Sequence, residues 1–172
     1  MKRNVLIFGL ILGTIMAVHM VYMIDLVYHN PDFQGNDVVG YAAMVVVFSL
    51  TFFGIRNYRN KELNGVISIG QGFKTGALIA LVGSTIYVVT WLFYYYLFIP
   101  DFIDKYTVHV MSSATRNGAD AAKLAEKATE MKEFKEMYKN PLFVVLISYA
   151  EVLPIGLVVA FVSSLILKKK PS

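Results

Sequence analysis

The 172-residue chain is too apolar for an ordinary soluble domain, since 56% of its residues are hydrophobic and only 16% are charged. This balance is typical of membrane proteins. The chain has no cysteine, which excludes disulfide frameworks, thiolate nucleophiles, cysteine-bound zinc and iron–sulfur clusters. Its three histidines, His19, His29 and His109, are too widely spaced for an HExxH-type metal site, so the sequence predicts no cofactor.

Four long apolar runs predict an all-α membrane protein with four transmembrane helices in an up-down bundle. Residues 1–172 then form a single integral domain. The predicted spans cover residues of about 4–28, 38–58, 69–99 and 142–167. Each is long enough to cross a hydrocarbon core of about 30 Å. The first run is longer than the apolar part of a signal peptide and has no cleavage site after it, so we interpret it as a retained helix.

Local signals mark the ends of the third span. Asn64-Gly65 predicts a stop or tight turn before it, because both residues tolerate positive φ. Ser68 and Gln71 have the spacing of a capping box, which predicts that the helix begins near Ile69. At the other end, Trp91 and its tyrosine neighbours are interpreted as an aromatic belt at the membrane interface.

A short basic link between spans two and three, residues 56–68, predicts the orientation. Lysine and arginine next to spans are in excess on the cytoplasmic side. These topogenic residues are Arg56, Arg59, Lys61 and Lys74 around the link, and Lys168, Lys169 and Lys170 after the last span. Both termini are therefore expected to be cytoplasmic. The net charge of +4 is explained by this asymmetry, so we expect membrane lipid and not nucleic acid as a partner.

The outer loop, residues 100–140, is too long to be structureless and predicts helices of its own. After a break at Asn117-Gly118, apolar positions recur at helical spacing, at Leu124, Ala128, Met131, Phe134 and Tyr138. Three interpretations are open for this amphipathic helix: a lid on the bundle, a surface for an external partner, or a helix lying on the membrane.

Small residues recur at every fourth position on three of the predicted spans, which lets helix backbones approach closely. The three ribbons are Gly9, Gly13 and Ala17; Gly72, Gly76, Ala80 and Ser84; and Gly156, Ala160 and Ser164. Either packing within one bundle or a homo-oligomer seam accounts for them.

The sharpest polar feature is Glu151, which lies close to the predicted middle of span four, where a carboxylate is costly. His19, Tyr87 and Thr90 lie at a similar predicted depth, so these four residues form a candidate intramembrane polar site. A structural hydrogen-bonded acid buried in the protein, a proton or cation site, and a lipid-facing side chain remain open for Glu151.

No nucleophile with its base, phosphate-binding loop or paired carboxylate is evident, so we assign no catalytic residue and expect no enzyme. The sequence predicts a non-enzymatic structural or interaction subunit, with a homo-oligomer or another membrane protein as partner. The alternative is a small proton- or cation-coupled transporter or channel-like protein that uses Glu151 and His19.

The inner link also carries a family resemblance, in the sequences GIRNYRNKELNG (residues 54–65) and ISIGQGFKTG (residues 67–76). They resemble domain-of-unknown-function family 4199, small integral membrane proteins found mainly in Bacteroidetes. The resemblance extends over most of the chain, including the apolar last helix that ends in lysines. It implies four helices and a bacterial inner-membrane location, and it carries over no activity and no catalytic residue.

Overall fold

A computed structural model of the chain describes residues 1–29 and 37–169, whose regular elements are helices. They are α1 (Lys2–His29), α2 (Asp37–Phe48), α3 (Leu50–Glu62), α4 (Ile69–Phe98), α5 (Phe102–Arg116), α6 (Ala121–Tyr138) and α7 (Pro141–Leu167). Four stretches are long and apolar enough to cross a membrane, namely Lys2–Leu26, Val38–Glu62, Ile69–Phe98 and Pro141–Leu167. Helices α2 and α3 together make the second of them, and α5 and α6 lie between the third and fourth. The all-α fold with four spans is confirmed.

The second span is longer than predicted, because α3 continues to Glu62. Most of the predicted basic link is therefore helix, and only residues 63–68 connect α3 to α4. Arginine, lysine and glutamate are good helix formers, so nothing stops the helix before Asn64 and Gly65. These two residues have φ of 51° and 84°. The Gly65 N–H donates to the carbonyl of Arg59 at 2.9 Å, which closes the helix end.

The capping box before α4 is confirmed. Ser68 Oγ accepts from the N–H of Gln71 at 3.2 Å, and Gln71 Oε1 accepts from the N–H of Ser68 at 3.1 Å. Two other helix starts are capped by a single side chain. Asp120 Oδ1 accepts from the N–H of Lys123 at 2.8 Å before α6, and Asn140 Oδ1 accepts from the N–H of Leu142 at 3.0 Å before α7. These caps satisfy backbone donors that a helix cannot satisfy itself.

Helix α4 is the centre of the bundle and packs mainly against α1 and α7, while α3 contacts all three. Gly9 faces Val82 and Gly13 faces Ile86, so α1 and α4 run parallel. Helices α4 and α7 run antiparallel, because Gly72 faces Ser164 and Gly76 faces Ala160. The two spans most distant in sequence from α4 are thus its closest neighbours in space.

The small residues of α4 and α7 face one another. A Cβ placed on Gly72 would lie 2.8 Å from Ser164 Cβ, and one on Gly76 would lie 2.8 Å from Ala160 Cβ. One on Gly156 would also lie 2.8 Å from Ala80 Cβ. Any side chain on these glycines would therefore force the two helices apart.

The remaining small residues also lie inside the bundle. Cβ atoms on Gly9 and Gly13 would lie 2.6 Å and 2.7 Å from side-chain atoms of α4, and Ala17 is buried. Ser84 is buried too, and its hydroxyl has no hydrogen-bond partner within the described ranges. The structure places all three ribbons within one bundle, where they permit close helix packing.

A cluster of polar contacts joins the helices at one end of the bundle. The N-terminal ammonium group pairs with Glu62. Asn4 Nδ2 donates to the carbonyl of Gly54 at 2.9 Å, and Asn57 Nδ2 donates to Asn4 Oδ1 at 2.6 Å. These contacts join the start of α1 to α3.

The end of α7 reaches the same end of the bundle. Arg59 donates to the carbonyl of Leu167 at 3.1 Å, and Ile67 and Lys169 exchange backbone hydrogen bonds of 3.1 Å and 3.0 Å. The other topogenic residues that the structure describes are exposed, namely Arg56, Lys61, Lys74, Lys168 and Lys169. Lys170 lies outside the described residues. The described basic residues, which the sequence predicts to lie on one side of the membrane, therefore lie at one end of the helix bundle.

Helices α5 and α6 pack against each other and dock on the opposite end of the bundle. Of the predicted inward positions on α6, Tyr138 is buried and Phe134 is half-buried, and both join the apolar cluster at that end. Leu124 and Met131 are half-buried. Ala128 is exposed, although the sequence predicts that it belongs to the apolar stripe of α6. Helix α6 contacts both α5 and α7, and the Phe134 and Tyr138 rings at its C-terminal end pack against Phe143 of α7.

Candidate functional site

A cavity of about 280 Å³ lies where α1, α4 and α7 meet the α5–α6 pair. Its wall consists of Ile24, Tyr87, Trp91, Phe102, Ile103, Tyr106, Phe134, Tyr138, Ile147, Ser148 and Glu151. Six of these side chains are aromatic, and Glu151 is a carboxylate. We refer to this space as the aromatic cavity.

Hydrogen bonding and ring packing fix the aromatic part of the wall. Trp91 Nε1 donates to the Tyr138 hydroxyl at 3.0 Å, and both side chains are buried. The Trp91 ring meets Phe102 edge-on at a centroid distance of 5.1 Å, and Phe134 lies 5.0 Å from Tyr138. Burial raises the pKa of Tyr138 to about 12, although the hydrogen bond from Trp91 opposes this rise. The Tyr138 hydroxyl is therefore neutral at physiological pH.

Glu151 lines the aromatic cavity and its side chain is exposed, so of the three interpretations left open it does not fit the acid that is fully buried in the protein. The buried stripe of α7, which includes Ser148, Val152 and Gly156, faces the neighbouring spans. Residue 151 is rotated by about 100° from residue 152 on a helix, which takes it out of that stripe. Within residues 1–29 and 37–169, no hydrogen bond or ion pair reaches its carboxylate.

His19 lies on a second cavity, of about 190 Å³, between α1, α2 and α4. Ile24 and Tyr87 line both cavities. The predicted polar layer is therefore divided: Tyr87 touches both spaces, while His19 and Glu151 stand on different ones. Thr90 is half-buried and lines neither.

Sequence reasoning missed Trp91 and Tyr138 as cavity residues. The sequence pattern assigns Trp91 to an interface belt and Tyr138 to an amphipathic stripe. Each pattern reflects only the neighbouring residues, and neither indicates that the two side chains meet. The available signal was that Tyr138 ends the stripe close to Pro141, where α6 must approach the membrane spans.

A second contact region fixes α5 against α1. The Tyr28 hydroxyl donates to Asp101 Oδ1 at 2.6 Å, and Lys105 Nζ lies 3.3 Å from the Tyr28 ring centroid. The hydrogen bond from Tyr28 lowers the pKa of Asp101 below its usual range, and Lys105 acts in the same direction. Lys135 of α6 pairs with Asp104 of α5, which also raises the pKa of Lys135.

The four candidate membrane-spanning helices place the chain in the class of multi-pass helical membrane proteins by their length and apolar composition. The chain belongs to the family described as Protein of unknown function (DUF4199), whose model matches residues 6–169. The resemblance noted in the inner link is thereby confirmed. No curated protein and no solved structure matches the chain.

Proposed function

We propose that this protein is a non-enzymatic interaction subunit of the bacterial inner membrane, which presents the α5–α6 pair to another membrane protein. The observation that supports this proposal is the way in which the pair is held. Its base is fixed by the Trp91–Tyr138 hydrogen bond, while Lys123, Glu130 and Lys132 are exposed along α6. A fixed helix with mixed surface charge suits recognition of a complementary polar surface.

The proposed orientation places both termini and residues 56–68 in the cytoplasm. It is supported by the clustering of the basic residues at one end of the bundle. The positive-inside rule assigns that end to the cytoplasm. The α5–α6 pair then lies on the outer side, where it is accessible to the external part of a partner.

The absence of a catalytic role is part of the same proposal. Tyr87 and Glu151 line one cavity, but the Glu151 carboxylate has no hydrogen-bonded partner among the described residues. A hydroxyl nucleophile is activated by an adjacent base within hydrogen-bond reach, whereas the Ser148 hydroxyl of this wall donates to the carbonyl of Val144. The cavity wall therefore fits binding better than covalent chemistry.

Site-specific photocrosslinking in cells tests the interaction. A photoreactive phenylalanine at Lys123 or Lys132 should give a discrete adduct with a partner protein. The same group at Val158, which is exposed on the apolar surface of α7, serves as the matched control and should give none. Two differently tagged copies of the chain distinguish a self-adduct from a partner. Failure of both α6 positions would reject the proposal that the α5–α6 pair is the interaction surface, whether or not Val158 gives an adduct.

A second candidate function is favoured by the two residues that line both the aromatic cavity and the cavity beside His19. Ile24 and Tyr87 border both spaces, while Glu151 lines one of them and His19 lines the other. We propose, as the alternative, coupled movement of protons or small cations between these two groups. Ionisable side chains within membrane spans commonly mark such routes.

Flux into proteoliposomes at several pH values tests the alternative. Wild-type protein should carry a gradient-driven flux that Glu151→Gln and His19→Gln abolish without unfolding the protein. Glu126→Gln, an exposed carboxylate change on α6, is the control and should retain the flux. Wild-type protein that gives no more flux than empty liposomes would exclude this alternative.

A further inference from the structure

We propose that the aromatic cavity is a binding site for a small organic ammonium cation, held by the Glu151 carboxylate and the surrounding aromatic rings. This site goes beyond the interaction role proposed above. It sharpens the alternative function but does not rest on it, because a cation can bind here whether or not it is transported.

The charge on the cavity wall selects a cation. Glu151 is the carboxylate on a wall that contains no lysine, arginine or histidine among the residues described. It has no hydrogen bond or ion pair within that part of the chain. A carboxylate at membrane depth is costly unless a partner compensates it. A bound cation supplies that partner.

The aromatic side chains select an organic cation. The faces of tryptophan and tyrosine rings attract ammonium groups, most strongly where water is excluded. Trp91 and Tyr138 are buried and joined by their hydrogen bond, and Phe102 and Phe134 pack against them. The rings are therefore held in place before a ligand arrives, which reduces the entropy lost on binding.

An inorganic divalent ion fits the same wall poorly. Calcium and magnesium take six or more oxygen ligands, most of them carboxylates, carbonyls or water. Here Glu151 offers one carboxylate, and the nearby Ser148 hydroxyl donates to the carbonyl of Val144 at 2.7 Å. An alkylammonium ion needs one charge and an apolar surround, which is what the cavity presents.

The volume of the cavity limits the size of the ligand. At about 280 Å³ it lies near the lower end of the range for ligand pockets. It therefore suits a compact quaternary or primary ammonium compound of the size of choline better than a large amphiphile.

Trp91 provides a direct readout, because it is the single tryptophan of the chain and lines the cavity. Choline added to the full-length protein in nanodiscs should change the Trp91 fluorescence saturably. The neutral analogue 3,3-dimethyl-1-butanol has the same shape without the charge and should bind at least about tenfold more weakly. Potassium chloride at matched ionic strength should leave the emission unchanged.

Variants at the carboxylate complete the test. Glu151→Gln should weaken choline binding about tenfold or more, because the ion pair is lost. Glu126→Gln should leave it unchanged. Glu151→Asp keeps the charge and should bind more tightly than Glu151→Gln. Thermal unfolding and size-exclusion profiles verify that each variant is folded.

Three results would overturn the site: no saturable response to choline, equal affinity for choline and its neutral analogue, or undiminished binding by folded Glu151→Gln. If Glu151→Gln does not fold, the comparison of the two ligands on wild-type protein and the affinity of Glu151→Asp decide the question.

Discussion

Trp91 in the third span donates its indole N–H to the hydroxyl of Tyr138, the last residue of α6, at 3.0 Å. Both side chains are buried, and they lie 47 residues apart in sequence. This bond fixes the helical pair to the bundle and forms part of the aromatic cavity. The stability of the pair and the shape of the cavity therefore depend on the same contact.

Tyr138→Phe should destabilise the protein by about 1–3 kcal/mol, because it leaves the buried Trp91 N–H without its acceptor. Thermal unfolding in detergent and protease cleavage near Asn117-Gly118 measure the effect, and cleavage should become faster. Tyr96→Phe is the control: it removes a hydroxyl from an exposed residue of α4, the helix that carries Trp91, and should have little effect. Equal losses in the two variants would show that the Trp91–Tyr138 bond does not anchor α6.

Gly76→Ala should destabilise the bundle by about 1–3 kcal/mol, the usual cost of overpacking a tightly packed interior. The new methyl group would lie 2.8 Å from Ala160 Cβ, close to a helix backbone that cannot move aside alone. Gly70→Ala, in the same helix, has open space around it. It should be neutral or stabilise by up to about 1 kcal/mol, through helix propensity. The midpoints of thermal unfolding compare the two, and a Gly76→Ala variant as stable as Gly70→Ala would contradict the close α4–α7 contact.

Tyr28→Phe should reduce stability at neutral pH but have less effect in acid. The hydrogen bond from Tyr28 is the main cause of the lowered pKa of Asp101, so it favours the ionised carboxylate in the folded state. That contribution is fully present above the usual pKa of 3.8 and is lost as the pH falls through the lowered folded value. Unfolding midpoints of the two proteins, measured from pH 7 downwards, should therefore converge below about pH 4. A difference that stays constant over this range would assign the effect of Tyr28 to packing and not to Asp101.

Cysteines placed at Asn60 and Glu126 should react with an impermeant maleimide from opposite sides of the membrane. The chain has no native cysteine, so each label has one target. Both positions are exposed in the structure. Glu126 is preferable to Gly118, where φ of 77° would strain a cysteine. Labelling of both from the same side would refute the proposed orientation.

The sequence alone determined the features that depend on neighbouring residues. The four spans follow from apolar length, because backbone polar groups in lipid must be satisfied within a helix. The start of α4 follows from the Ser68–Gln71 capping box, and the end of α3 from Asn64-Gly65. The ribbons of small residues also predicted close helix contacts, although they did not say with which helix.

The tertiary structure decided which faces meet. A residue on a helix gains or loses a neighbour when the helix rotates by about 100°, and that rotation is set by packing between distant segments. For this reason Glu151 lies on the aromatic cavity and His19 on a separate one, although their predicted depths agree. For the same reason the Tyr138 hydroxyl meets Trp91, a pairing that neither the belt of span three nor the stripe of α6 contains by itself.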